Sequence, residues 1–180
     1  MSIKIAVTGE PGFGKSTLVR KVIEGQSFGS GGMLSQDRRR EGKRVGFEIC
    51  DIGSGALGTL ASLDGIGPKF GRYHINLEDL EEIGARSIEG AIDSELLVID
   101  EVGPMELISK RFVEAVTKAI EMDRRMLVVL HLKSQHPLAK RIRGTFHVIT
   151  VTKENRELLA KEIRGEILKD IHRNHQKGVE

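Results

Sequence analysis

The sequence predicts a three-layer α/β sandwich on a mainly parallel sheet, and three observations carry that expectation. Short apolar, β-branched runs such as Ile3 to Thr8 (IKIAVT) and Glu95 to Asp100 (ELLVID) have the composition of strands buried on both faces. Such runs alternate with stretches of helical periodicity, the order that builds helices onto both faces of a parallel sheet. Between the first run and the first helical stretch, three glycines and a lysine crowd into GEPGFGKST, Gly9 to Thr17.

The first unit is strand, glycine loop and helix, the helix LVRKVIEG ending at Gly25. From Gly29 to Asn76 the chain changes character: GGMLS, KRVGFEICDI, GALGTLASL and GRYHINL are short strand candidates between glycine-rich turns. They predict an antiparallel β insertion with polar loops RRREGKR and LDGIGPKFG. Asn76 then caps a helix LEDLEEIGARSIEGAI, with acidic residues in its first turn and Leu77, Leu80, Ile83, Ile88 and Ile92 near helical spacing. After ELLVID come helix SKRFVEAVTKAIEM, strand RMLVVLHL, a short helix PLAKRIRG and strand TFHVITV. A last helix starts near Asn155, with Leu159, Ile163, Ile167 and Ile171 on one stripe.

Length and composition suit one domain spanning residues 1–180. The hydrophobic set is 39%, and 28 Lys and Arg nearly balance 26 Asp and Glu, so charge does not demand nucleic acid as a partner. Nucleic acid is possible but not expected. One cysteine, Cys50, excludes an internal disulfide framework and suits a reducing compartment. No stretch approaches the length of a membrane span and the amino terminus enters a strand pattern at once, so a cytoplasmic protein without a membrane partner is expected. No tryptophan, many charges and few Asn and Gln lean towards a thermophilic source.

The spacing Gly9-x4-Gly14-Lys15-Ser16, after a buried strand and before a helix, fits the P-loop pattern. Backbone N–H groups of Gly9, Glu10, Pro11, Gly12, Phe13, Gly14, Lys15, Ser16 and Thr17 (Pro11 excepted, having none) would surround a triphosphate. Side chains in place of the glycines would obstruct it. Lys15 would reach the β- and γ-phosphates, and the Ser16 hydroxyl would ligate Mg²⁺. The competing readings are a plain glycine turn and a dinucleotide site, but Thr17 stands where the dinucleotide pattern needs its third glycine. LLVIDEVGP adds two adjacent carboxylates at a strand end: Asp100 for the magnesium and Glu101 to orient or deprotonate a water. A polar loop start would look the same in isolation.

TGEPGFGKSTL, GKRVGFEICDI, GRYHINLEDLE, LLVIDEVGPMEL and VTKENRELL, in that order, resemble the small nucleoside-triphosphatase family of thermophilic microbes, related to the vertebrate cancer-related nucleoside-triphosphatase. The resemblance implies a P-loop NTPase with a RecA-like or nucleotide-kinase-like core that slowly hydrolyses ATP, GTP and other nucleoside triphosphates with Mg²⁺. It implies Gly9 to Thr17 on the phosphates, Asp100 on the metal and Glu101 on the water. The chain departs from the family's Thr-x-Glu-x-Arg run in having Ser35-Gln36-Asp37-Arg38-Arg39.

Other residues carry two readings each. His131, at the end of RMLVVLHL, is a γ-phosphate sensor or a strand-end histidine, and Lys133 is solvated. Arg141 and Arg143, in AKRIRG, are lid arginines of which Arg143 is the catalytic candidate, or a basic surface face. Asn155 and Arg156 flank the base, or Thr152 or Asn155 caps the last helix. Arg38, Arg39, Arg40, Lys43 and Arg44 form a basic hairpin with no aromatic residue among them, read as a solvated turn. His172 and His175 make an incomplete metal pair at a frayed end. Beyond hydrolysis, two activities stay open: a kinase with hydrolysis as a side reaction, and a nucleotide-gated switch on nucleic acid.

Overall fold

A computed structural model gives the protein's structure, describing residues 1–177, with side chains to residue 174. Nine strands join one sheet: β1 (Lys4–Thr8), β2 (Ser30–Arg40), β3 (Lys43–Asp51), β4 (Leu57–Ser62), β5 (Lys69–Phe70), β6 (Tyr73–Ile75), β7 (Leu96–Val102), β8 (Met126–Leu130) and β9 (His147–Thr150). Their spatial order is β5-β6-β4-β3-β2-β7-β8-β1-β9. From β2 to β9 the neighbours run parallel, and from β2 outward through β3, β4, β6 and β5 they run antiparallel. The parallel half has the fully buried strands that its apolar runs require, as in β8.

The helices are α1 (Lys15–Ile23), α2 (Leu77–Asp79), a π-helical segment Leu80–Ala85, α3 (Arg86–Gly90), α4 (Lys110–Glu121), α5 (Pro137–Thr145) and α6 (Arg156–Lys177). On one face of the sheet α1 and α6 cover Ile5, Val7, Leu34 and Val129 through Leu18, Val22, Ile163 and Ile167. On the other, Leu80, Ile88, Phe112, Val116, Leu138 and Ile142 cover Ala6, Met33, Ile49, Ile99 and Val128. These are the three layers expected. No described helix is long and apolar enough to cross a membrane.

Two elements differ from the expectation. The run GGMLS does not open a separate insertion: Ser30 to Met33 pair in parallel with Leu96 to Ile99, so β2 is a core strand first and a hairpin strand afterwards. The antiparallel strands therefore extend the central sheet. The helix begun by Asn76, whose side chain accepts from the Asp79 N–H at 3.0 Å, is interrupted by the π-helical turn. Gly84 lies in that turn where a side chain would meet the Met33 sulfur and Leu80, so close packing on β2 and the wider turn occur together.

Gly32 is where β2 must be a glycine: its φ is +109°, and a Cβ would run into the Val98 carbonyl of β7. Gly32→Ala is expected to cost about 2 kcal/mol or more. The melting temperature should fall by about 4 °C or more. A melting curve unchanged by the substitution would contradict the parallel β2–β7 pairing.

Candidate active site

The phosphate loop leaves β1 at the carboxyl end of the sheet and enters α1 through Gly14, whose φ of 86° is left-handed. No side chain caps α1 and no acidic residue sits in its first turn. Its first N–H groups, with the positive end of the helix dipole, are thus available to an anion. A side chain at Gly14 would also crowd the flexible Arg156 side chain at the start of α6, which would have to shift. The Lys15 ammonium folds back over the loop, donating to the Gly9 carbonyl at 2.8 Å and the Glu10 carbonyl at 3.1 Å.

Across from the loop, β7 ends in the carboxylates. Asp100 has 0% of its surface exposed, and neither carboxylate oxygen has a hydrogen-bond partner. Burial pushes its carboxyl up to about 7, with Glu101 adding to the rise while the nearby Ser16 hydroxyl, Arg20 and Lys15 oppose it. The register of β7 on β8 shifts between Asp100 and Val102, a bulge that takes Glu101 out of the ladder and lets it line the cavity. Burial also raises Glu101, against the pull of Lys15 and His131.

The loop, Lys15, Ser16 and Glu101 share one cavity of about 610 Å³, while Asp100 lies buried outside its lining. Of the residues expected at the site, Gly9, Glu10, Pro11, Gly12, Gly14, Lys15, Ser16, Thr17, Glu101, His131 and Arg156 line it. His131 follows β8, and its Nδ1 accepts from the Lys133 N–H at 3.3 Å, which leaves Nε2 to carry the ring proton of the neutral form. Lys133, read as solvated, lines the same wall.

Others lie elsewhere. Phe13 is outside the cavity lining, beneath the Lys153 ammonium at 5.6 Å. Asn155 is outside it too: its side chain accepts from the Thr152 N–H at 2.8 Å and donates to the Thr150 carbonyl at 3.0 Å, while its own N–H donates to the Thr152 hydroxyl at 3.2 Å. That is the capping arrangement. Arg143 does not reach over the cavity as a lid. It donates to the carbonyls of Ser134 at 2.7 Å, His131 at 3.0 Å and Leu132 at 3.0 Å, and so fastens the loop that carries His131. Arg141 pairs with Glu121 on the surface. His175 lies outside the residues whose side chains are described.

The sequence reading missed two sets of residues. Arg20 of α1 and Gln36, Asp37, Arg44 and Phe47 of the β2–β3 hairpin also line the cavity, because β2 outruns β7 and folds a wall beside the loop. Glu106, in the turn after β7, is buried, its Oε2 unpaired, and stands close to Gly103 with Glu101. Desolvation, and after it the neighbouring Glu101, drive its carboxyl well above the usual range. Its place within LLVIDEVGPMEL was the only available signal.

The donor set suits a hard divalent cation: two unpaired carboxylate oxygens on Asp100 beside a hydroxyl on Ser16, with room left for phosphate oxygens and water. Among the described residues no three or more His, Cys, Asp or Glu side chains gather as an all-protein metal site.

An uncapped helix N-terminus after a glycine loop, opposed by strand-end carboxylates across an α/β sheet, defines a P-loop nucleotide-binding protein. Comparison with known proteins gives the family: a family model described as NTPase matches residues 4–164. The nucleoside-triphosphatase THEP1 of Methanosarcina acetivorans is 47% identical over 173 residues, 94% of this chain and 99% of that protein. The THEP1 of Archaeoglobus fulgidus is 42% identical over 163 residues, 89% of this chain and 96% of that one. The crystal structure of THEP1 from Aquifex aeolicus superposes with a TM-score of 0.81 at 31% identity, covering 89% of this chain and 96% of that chain. The solution structure of a human cancer-related nucleoside triphosphatase gives 0.74 at 29%, covering 90% and 95%. This chain belongs to the NTPase family, as its motifs implied.

Because Arg143 ties down three carbonyls, Arg143→Ala should destabilise the fold by about 1–3 kcal/mol. The melting temperature then falls by several degrees, roughly 2–4 °C for each kcal/mol. A lid arginine would behave differently, with kcat falling while the melting curve stayed in place.

Proposed function

We propose that the protein hydrolyses the terminal phosphate of nucleoside triphosphates to give a nucleoside diphosphate and orthophosphate, with Mg²⁺ and little selectivity for the base. One observation carries this reading: the uncapped start of α1, with Lys15, faces Glu101 across a single cavity large enough for a nucleotide.

The loop amides bind and orient the phosphates, and Lys15 exchanges its contacts with the Gly9 and Glu10 carbonyls for the β- and γ-phosphate oxygens. Glu101, desolvated and therefore more basic than an ordinary carboxylate, accepts a hydrogen bond from the attacking water and takes its proton. The Nε2–H of His131 donates towards the γ-phosphate, and the Arg143 anchor keeps that histidine in place. Mg²⁺ held by Ser16 and Asp100 would supply positive charge to the phosphates and the leaving oxygen. Low base selectivity is supported by the commitment of Asn155 to Thr152 and Thr150, which leaves Arg156 alone of that pair on the cavity. ATP, GTP and other triphosphates are accordingly all expected substrates. The single cysteine, Cys50, supports a reducing setting such as the cytoplasm.

Lys15→Ala should abolish productive triphosphate binding, read with a fluorescent nucleotide. Glu101→Gln should bind that nucleotide within a few-fold of the native protein while kcat falls by about 10²- to 10⁴-fold. Turnover at the native rate would remove Glu101 from the mechanism.

The Asp100 carboxyl, at about 7 in place of the ordinary 3.8, is protonated in the metal-free site below neutrality. The cation must displace that proton, so the Mg²⁺ concentration giving half-maximal rate should rise by up to about tenfold for each unit below about pH 7 and level off above it. Magnesium titrations at several pH values check this. A requirement flat between about pH 6 and pH 8 would contradict the assignment.

A further inference from the structure

One wall of the cavity belongs to neither the phosphate loop nor β7. The pairing of β2 with β7 stops at Met33 and Ile99, yet β2 continues to Arg40. Seven residues of strand, roughly 20 Å, therefore project past the edge of the parallel sheet. The chain turns at Glu41 and Gly42, both with positive φ, and returns as β3. At the root of this arm Gln36, Asp37, Arg44 and Phe47 line the cavity together with Glu101.

The arm's basic run contains no aromatic residue, but the fold supplies two. Phe47, opposite Asp37 in the register, meets Tyr73 of β6 edge-on at 5.2 Å between ring centres. The Arg44 guanidinium lies 5.3 Å from the Phe47 ring, and that of Arg72 lies 5.1 Å from the Tyr73 ring. Arg72 also donates to the Tyr73 hydroxyl at 2.8 Å and to the Arg44 carbonyl at 3.2 Å, which joins the two pairs into one surface. Asp37 neutralises part of the charge, pairing with Arg39 at 2.8 Å and Arg44 at 2.9 Å, and Glu41 sits at the tip. Arg38, Arg40, Lys43 and Arg72 are exposed, and among the described residues none of them has an ion-pair partner. The balance is cationic, and the Phe47 and Tyr73 rings lie within it, mostly buried against the core with the Arg44 and Arg72 guanidinium groups over them.

We propose that this arm binds a second ligand, a phosphorylated nucleoside whose base stacks on the Arg44 and Arg72 guanidinium groups that Phe47 and Tyr73 support from behind, and whose phosphate meets the exposed Arg38, Arg40 and Lys43. Stacking accepts any base, and planar guanidinium groups suit phosphate oxygens, so the two features together fit this chemistry better than either does alone. The ligand's position next to the reacting phosphate rests on the reading of the cavity as a triphosphate site; its binding to the arm does not. A mononucleotide and a single strand of nucleic acid present the same groups.

The test titrates the intact chain with Mg²⁺, with and without a non-hydrolysable triphosphate analogue, using a fluorescein-labelled short oligothymidylate and following anisotropy. Saturable binding that weakens as salt rises is expected. Arg72→Ala and Tyr73→Leu should each weaken it about tenfold. Lys15→Ala should leave it in place. Displacement of the probe by uridine monophosphate at a similar concentration supports the site with a mononucleotide as its ligand, and no displacement supports it with a strand.

No saturable binding of either probe at low salt would overturn the proposal. So would binding that stays within twofold in Arg72→Ala, an exposed substitution that remains decisive if Tyr73→Leu does not fold. If the triphosphate analogue fails to bind the native protein while the oligonucleotide still does, the triphosphatase reading falls and the arm site stands.

Discussion

Asp100 has no exposed surface and both of its oxygens lack hydrogen bonds, and the organisation of the site follows from that uncompensated group. A carboxylate in such a place is costly unless positive charge arrives or a proton is retained. The protein opposes that cost through the neighbouring Ser16 hydroxyl and, at longer range, the charges of Arg20 and Lys15. Glu101 and Glu106 are raised by burial as well, so three acidic groups crowd the end of one strand and its following turn. Folding alone gives no reason to gather them. The proposed divalent cation would, because it would answer the buried negative charge with positive charge in a site of low dielectric and draw the oxygens of a triphosphate on α1 towards it.

The same strand end shows how backbone geometry assigns roles to neighbouring residues. In a regular strand Asp100 and Glu101 would point to opposite faces. The bulge in β7, opposite β8, removes Glu101 from that alternation, leaving Asp100 buried beside Ser16 and Glu101 on the cavity wall. The loop after β8 faces them with His131 and Lys133, and Arg143 holds that loop by its carbonyls. An arginine of α5 thereby supports the cavity without entering it.

β2 couples this site to the outer half of the sheet. It is parallel to β7 in its first four residues and antiparallel to β3 from Met33 onward. Gly32 and Gly84 permit the close approaches on either side of that transition, to β7 and to the π-helical turn. The consequence is a hairpin standing beside the phosphate loop, fastened to α1 where Arg20 donates to the Ser35 carbonyl at 3.2 Å.

By itself the sequence determined the layers, the phosphate loop and the strand-end carboxylates, because these depend on local signals: buried apolar runs, glycines ahead of a helix, and acidic residues directly after a strand. The caps at Asn76 and the start of α6 were legible for the same reason. The tertiary structure decided what depends on distance along the chain. It drew β2 into the core sheet through pairing with residues more than sixty positions away, and it turned Arg143 from a lid candidate into a loop anchor. It also brought Phe47 and Tyr73 among arginines that had seemed to stand alone. Strand register and side-chain packing arise from contacts between remote segments, and neither periodicity nor motif spacing records them.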